Sequence, residues 1–126
     1  MEYMLLIYNQ TDARPLSDEE RNAMFGEFFQ YTQRLRDSGA YIGGDPLQPA
    51  HTATTVRGQD GETVTSDGPF AETKEVLGGY YKIEAASLDE AIEWASQIPS
   101  IRYSGDSVEV RPVMPIPARP ESPTSA

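Results

Sequence analysis

The stretch EYMLLIY, residues 2–8, is apolar on both faces of an extended chain. Successive side chains of a strand point to opposite sides of the sheet. The two faces are Tyr3, Leu5 and Ile7, and Met4, Leu6 and Tyr8. A strand that is apolar on both faces is typical of one that is covered on both sides. The sequence therefore predicts a strand that needs a packing partner on each face.

Capping boxes begin two predicted helices, SDEE at 17–20 and SLDE at 87–90. In each, the serine hydroxyl accepts from the third helical N–H while the glutamate reaches back to the serine N–H. Apolar residues at helical spacing follow, so we expect one helix from about 18 to 38 and another ending near residue 98.

Segments rich in threonine, valine and tyrosine predict the other strands. They are 40–44, a hairpin of 52–57 and 62–65 around a turn at 58–61, 79–85, and 108–111. Between the hairpin and residue 79 we expect a helical turn or an ordered loop over 71–77. The resulting β-α-β…β-α-β order is the ferredoxin-like α+β pattern with an inserted β-hairpin, in which both helices cover one face of an antiparallel sheet. A second copy stacked on the other face would cover the first strand, so we expect a homodimer.

Composition excludes several classes of function. The chain has 126 residues, a net charge of −10, no cysteine and one histidine. A field of this sign repels nucleic acid and anionic membrane surfaces, and no apolar run is long enough to span a bilayer. Without cysteine or a histidine cluster, we expect no metal site and no cofactor. The N-terminus lacks the features of a signal peptide, so we expect a soluble, cytoplasmic protein.

The C-terminal end is rich in proline, with five of the ten prolines at or after Pro112. Proline cannot extend a helix or a central strand. We expect one folded domain over 1–114 and a Pro-rich tail over 115–126.

The segment 65–75, TSDGPFAETKE, ends in a Gly-Gly-Tyr-Tyr run at 78–81 and resembles the DGPF-domain proteins of the YCII-related family. The opening strand, GG at 43–44, TATTVR at 52–57 and LDEA at 88–91 match in the same order, so the resemblance covers about residues 2–113. It implies a ferredoxin-like dimeric α+β barrel in a bacterial protein. For DGPF members it also implies a partnership with an extracytoplasmic-function sigma factor.

Some YCII relatives are small-molecule enzymes for which an active-site His–Asp pair has been proposed. The first strand and its loop contain no histidine here, and the single His51 lies just before the hairpin. The His–Asp mechanism is therefore not carried over.

Asp67 has two interpretations. Its carboxylate would accept from the backbone of the turn at 68–70, with Phe70 anchoring the loop in the core. Alternatively, Asp67 would be a catalytic acid or base at the mouth of the space between the sheets, with Phe70 against the ligand.

Five polar side chains alternate with the apolar residues of the predicted strands. They are Tyr8, Tyr80, Lys82, Glu109 and Arg111. These side chains would either line a ligand pocket between the sheets or form hydrogen bonds and ion pairs between subunits.

Two classes of function remain open. One is a ligand-binding or regulatory homodimer, which the scarcity of acid and base groups favours. The other is a small-molecule enzyme, a lyase or isomerase, that uses Asp67.

Overall fold

A computed structural model describes residues 1–71 and 73–117 of the chain. In chain order the elements are β1 (Glu2–Gln10), α1 (Asp18–Asp37), β2 (Tyr41–Pro46), a 3-10 turn (Ala50–Thr52), β3 (Thr54–Gln59), β4 (Glu62–Asp67), β5 (Glu75–Glu84), α2 (Leu88–Ser96), α3 (Pro99–Ser104) and β6 (Ser107–Pro112).

The main sheet has the strand order β2-β5-β1-β6, and every neighbouring pair is antiparallel. The helices follow β1 and β5, so the fold is α+β with the predicted β-α-β…β-α-β order of elements. Strands β3 and β4 form a separate two-stranded sheet, which is the predicted insertion.

The core lies on one face of the main sheet, under the helices. Tyr3, Leu5 and Ile7 of β1 pack there with Tyr31 and Leu35 of α1. The Tyr31 ring meets the Tyr81 ring edge-on at 5.3 Å, and its hydroxyl donates to the Trp94 carbonyl oxygen at 2.7 Å. These contacts fix both helices against the same sheet face.

The predicted helix starts are confirmed, but only the first capping box is reciprocal, because the Glu90 carboxylate accepts from the Ala86 N–H and not from that of Ser87. Ser17 and Glu20 form the reciprocal capping box of α1, and Ser87 accepts from the Glu90 N–H at the start of α2. Helix α1 ends one residue earlier than expected. Gly39 follows its C-cap residue with φ of 79°, a conformation that glycine adopts without steric cost.

The hairpin turn contains Asp60 and Gly61, both with positive φ, which matches the right-handed twist of the flanking strands. The hairpin strands run two residues further toward the C-terminus than predicted.

One expectation about the elements was wrong in part, and one helix was not predicted. The segment before residue 79 is no helical turn in the described residues, because β5 already begins at Glu75. Strand β5 has one extra residue, Gly78, which forms a bulge opposite the Ile7–Tyr8 step of β1. The bulge lets the pairing of β5 with β1 continue on both sides of it. The sequence also did not predict α3, a six-residue helix with proline at its first turn.

The chain continues beyond β6 along β1. The Val113 N–H donates to the Glu2 carbonyl oxygen at 2.9 Å, and after it Met114 and Ile116 are 81 % and 89 % exposed. Residues 118–126, most of the predicted tail, lie outside the described residues.

Candidate functional site

The candidate site is the face of the main sheet that the helices leave uncovered, here called the open face. Along β1 it presents Met4, Leu6 and Tyr8, each partly exposed, whereas the alternate residues of the strand are buried in the core. The strand thus has the two apolar faces that the sequence predicts, and within the described chain only one of them is covered.

Strand pairing brings the five predicted polar residues together on the open face. Met4 lies opposite Lys82 on one side and Arg111 on the other. Leu6 lies opposite Tyr80 and Glu109 in the same way. Directly paired residues point to the same side of a sheet. The apolar stripe of β1 is therefore flanked by one polar row on β5, Tyr80 and Lys82, and another on β6, Glu109 and Arg111. The rows are about 10 Å apart, twice the strand spacing.

Tyr80 has a partner on the edge strand that sequence reasoning missed. Its hydroxyl donates to Asp45 Oδ2 at 2.9 Å, and this hydrogen bond to a carboxylate raises the pKa of Tyr80 above its ordinary value. Asp45 lies opposite Tyr80 in the β2–β5 register. Sequence reasoning missed Asp45 because the glycine pair before it and the proline after it indicate a turn. Strand alternation continued from Gly43 would have placed Asp45 on the open face.

Both cations on the open face are paired within the chain. Lys82 Nζ lies 3.3 Å from Glu2 Oε1, and Arg111 Nε donates to Glu109 Oε2 at 2.7 Å. The Lys82 and Glu109 side chains keep 37 % and 39 % of their surface exposed. The open face therefore presents hydrogen-bonding groups without an uncompensated block of positive charge.

Asp67 and Phe70 lie on and beside the hairpin, which belongs to the other sheet. The Gly68 N–H, which the turn-cap interpretation assigns to the Asp67 carboxylate, donates instead to the Ala53 carbonyl oxygen at 2.7 Å. Thr55 Oγ1 donates to the Gly68 carbonyl oxygen at 2.8 Å, so both backbone polar groups of Gly68 are hydrogen-bonded to the start of the hairpin.

Phe70 does not anchor the loop in the core, since it is 76 % exposed. Its ring instead lies under the Arg57 guanidinium, 5.4 Å from the ring centroid. His51 is exposed in the 3-10 turn.

Residues 1–71 and 73–117 contain no group of three or more His, Cys, Asp or Glu side chains able to hold a metal ion. In the same part of the chain, no helix combines the length and the apolar character that a membrane crossing requires.

The open sheet face and the two crossover helices define a small α+β domain with one uncovered surface. The family model of the YCII-related domain matches residues 1–117. The chain therefore belongs to the YCII-related family.

Two proteins match this chain over most of its length. An uncharacterized protein of Rhizobium meliloti (strain 1021) is 38 % identical over 114 residues, which cover 90 % of this chain and 92 % of the relative. The structure of 5-chloro-2-hydroxyhydroquinone dehydrochlorinase from Burkholderia phenoliruptrix AC1100, in complex with 2,5-dihydroxybenzoquinone, is 19 % identical. The match covers 88 % of this chain and 93 % of that one, with a TM-score of 0.47.

Proposed function

We propose that this protein is a small-molecule-binding homodimer, in which two copies face each other through their open faces and hold the ligand between the sheets. The observation that carries the proposal is the row of Met4, Leu6 and Tyr8, which remains partly exposed at the centre of the main sheet. Antiparallel sheets commonly keep one face in solvent, but that face is then polar along its strands.

The charges of the open face favour a second copy as the cover. Two chains of net charge −10 repel each other through most of their surfaces. The Lys82–Glu2 and Arg111–Glu109 pairs balance charge locally, so these four side chains add little repulsion when the open face approaches its own copy.

The polar side chains of the open face favour a ligand-binding site between the two sheets over a dry interface. Tyr80, Asp45 and Lys82 present donors and acceptors beside the apolar stripe. Ligand sites combine apolar walls with a few positioned polar groups in this way. We therefore expect a small molecule with hydrogen-bonding groups to bind against the Tyr80 side of Leu6.

A metabolite-library thermal-shift screen on three chains tests the proposal: the parent, Leu6→Arg and Leu88→Arg. Leu6→Arg places a charge in the interface and should weaken dimerisation at least about a hundredfold. Leu88→Arg is the matched control, because Leu88 is 49 % exposed on the helix layer. A ligand should raise the melting temperature of the parent and of Leu88→Arg by mass action, but not that of Leu6→Arg.

Three other outcomes would contradict the proposal. Equal affinity of a ligand for the parent and for Leu6→Arg would show that the ligand binds outside the interface. Conversion of a ligand to product that Asp67→Asn abolishes would instead support the small-molecule enzyme using Asp67. A parent chain that is monomeric alone and binds a sigma factor through Leu6 would replace the second copy by that partner.

A further inference from the structure

A cleft at the C-terminal end of β1 has the construction of a second binding site. Its volume is about 270 Å³, and it is lined by the end of β1, the loop after it, the first turns of α1 and the turn before β6. At about 30 Å³ per water molecule, this space equals about nine waters, enough for a ligand of about a dozen heavy atoms.

The inner end of the cleft holds a buried carboxylate. Asp106 is only 5 % exposed, and its Oδ2 accepts from Asn9 Nδ2 at 2.8 Å. Its Oδ1 is buried and receives no hydrogen bond from the described residues. Gly105, with φ of 67°, makes the turn that directs Asp106 back toward β1. A buried carboxylate oxygen without a donor costs free energy, and a donor group on a ligand would offset that cost.

Two arginines line the more exposed part of the cleft. Arg14 and Arg21 both line it, with 68 % and 48 % of their side chains exposed. Arg14 binds Glu20 through both terminal nitrogens, and Arg21 binds Asp18 through one. A guanidinium has five N–H donors, so each arginine retains donors for a further acceptor.

The side wall between these ends is apolar. Leu16, Met24 and Phe25 line the cleft, and Phe25 is 51 % exposed at the start of α1. Tyr31 and Leu35 of the same helix are buried in the core, whereas about half of the Phe25 surface is open to solvent. Phe25 is well placed to pack against an apolar group inside the cleft.

We propose that this cleft binds a zwitterionic small molecule of the α-amino-acid type with an apolar side chain. The ammonium would donate to Asp106, the carboxylate would accept from Arg14 and Arg21, and the side chain would pack on Phe25. A buried carboxylate with an unpaired oxygen together with two exposed guanidiniums that retain N–H donors matches a zwitterion better than a simple amine or a simple acid. This site is separate from the proposed ligand site on the open face.

Three related compounds test the proposal on the intact chain. L-phenylalanine carries both charged groups, 3-phenylpropanoate lacks the ammonium, and 2-phenylethylamine lacks the carboxylate. Binding is followed by amide chemical shifts in nuclear magnetic resonance. We expect L-phenylalanine to bind at least about tenfold more tightly than either analogue, with the shifts concentrated at residues 9–25 and 104–106.

Substitutions then assign each charge to its partner. Asp106→Asn should weaken L-phenylalanine and 2-phenylethylamine about tenfold and leave 3-phenylpropanoate unchanged. Arg21→Gln should weaken L-phenylalanine and 3-phenylpropanoate but not the amine, and Arg36→Gln, outside the cleft, should change none of them.

The compound series on the parent chain decides the matter even if Asp106→Asn does not fold. Equal binding of the three compounds, or no binding of L-phenylalanine at about 10 mM, would overturn the proposal. So would shifts centred on Lys82 and Tyr80, since those residues belong to the open face.

Discussion

The Gly78→Ala substitution probes how the bulge in β5 holds the Asn9–Asp106 pair. Gly78 is the unpaired residue of the bulge, and a methyl group there would overlap the Asn9 side-chain amide. The backbone of Gly78 is not in the left-handed region, so alanine fits the local conformation and the clash alone decides the outcome. Asn9 must then move and release Asp106 Oδ2, which it contacts at 2.8 Å.

The expected cost follows from the carboxylate that is left behind. Asp106 is 5 % exposed and Oδ1 already has no donor in the described chain, so losing Asn9 leaves both oxygens unpaired. An unsatisfied buried polar group costs about 1–3 kcal/mol. We expect Gly78→Ala to lower the free energy of unfolding by about this amount. Gly58→Ala, a strand position with nothing within 4 Å of the added Cβ, is the control and should change it by less than about 0.5 kcal/mol.

A double-mutant cycle with Asn9→Ala isolates the cause. Asn9→Ala alone should also cost about 1–3 kcal/mol, and adding Gly78→Ala to it should cost almost nothing, because the clashing amide is gone. Urea titrations of the four chains, compared at constant m-value, give the coupling energy. Additive costs, or a Gly78→Ala chain as stable as Gly58→Ala, would refute the reasoning.

Three further predictions concern the core and the hairpin. Tyr31→Phe removes a hydrogen bond to the Trp94 carbonyl but keeps both ring contacts, so thermal unfolding should show a loss of about 0.5–1.5 kcal/mol; a loss above about 3 kcal/mol would mean that the ring packing had changed. Burial raises the pKa of Tyr31 and Tyr81 above 10.0, so their contribution to stability is complete below about pH 10 and is lost as the pH rises through their folded-state pKa values. Urea titrations from pH 8 to about 12 should show this decline in the free energy of unfolding, and the decline should be less steep in Tyr31→Phe. An identical decline in the parent and in Tyr31→Phe would contradict the prediction. Asp67→Ala should change the unfolding free energy by less than about 0.5 kcal/mol in a urea titration, because Ala53 and Thr55 hold the adjacent turn; a loss of about 2 kcal/mol would restore Asp67 as its cap.

Local patterns were sufficient to predict the main sheet and the open face. Alternation along β1, β5 and β6 depends only on the period of a strand, so the amino-acid sequence alone assigns Tyr80, Lys82, Glu109 and Arg111 to one face. The capping boxes likewise located the starts of α1 and α2, because their hydrogen bonds span only three residues.

Features assembled from distant segments could not be predicted in this way. The Asp106 cleft combines residues from β1, α1 and the turn before β6, and no local pattern connects them. Helix α3 is too short for a helical period, and the polar start of β5 looked like a loop because its pairing with β1 is long-range. Phe70 was expected in the core because aromatic residues are often buried, but the hairpin that carries it packs in a separate sheet.

The mass of the parent chain in solution tests the central claim, that a second copy covers the open face. One chain weighs 13.9 kDa. Multi-angle light scattering at micromolar concentration should give twice this mass for the parent and for Leu88→Arg, and the mass of a single chain for Leu6→Arg. A parent chain that scatters as 13.9 kDa would contradict the account, as would a dimer that Leu6→Arg leaves intact.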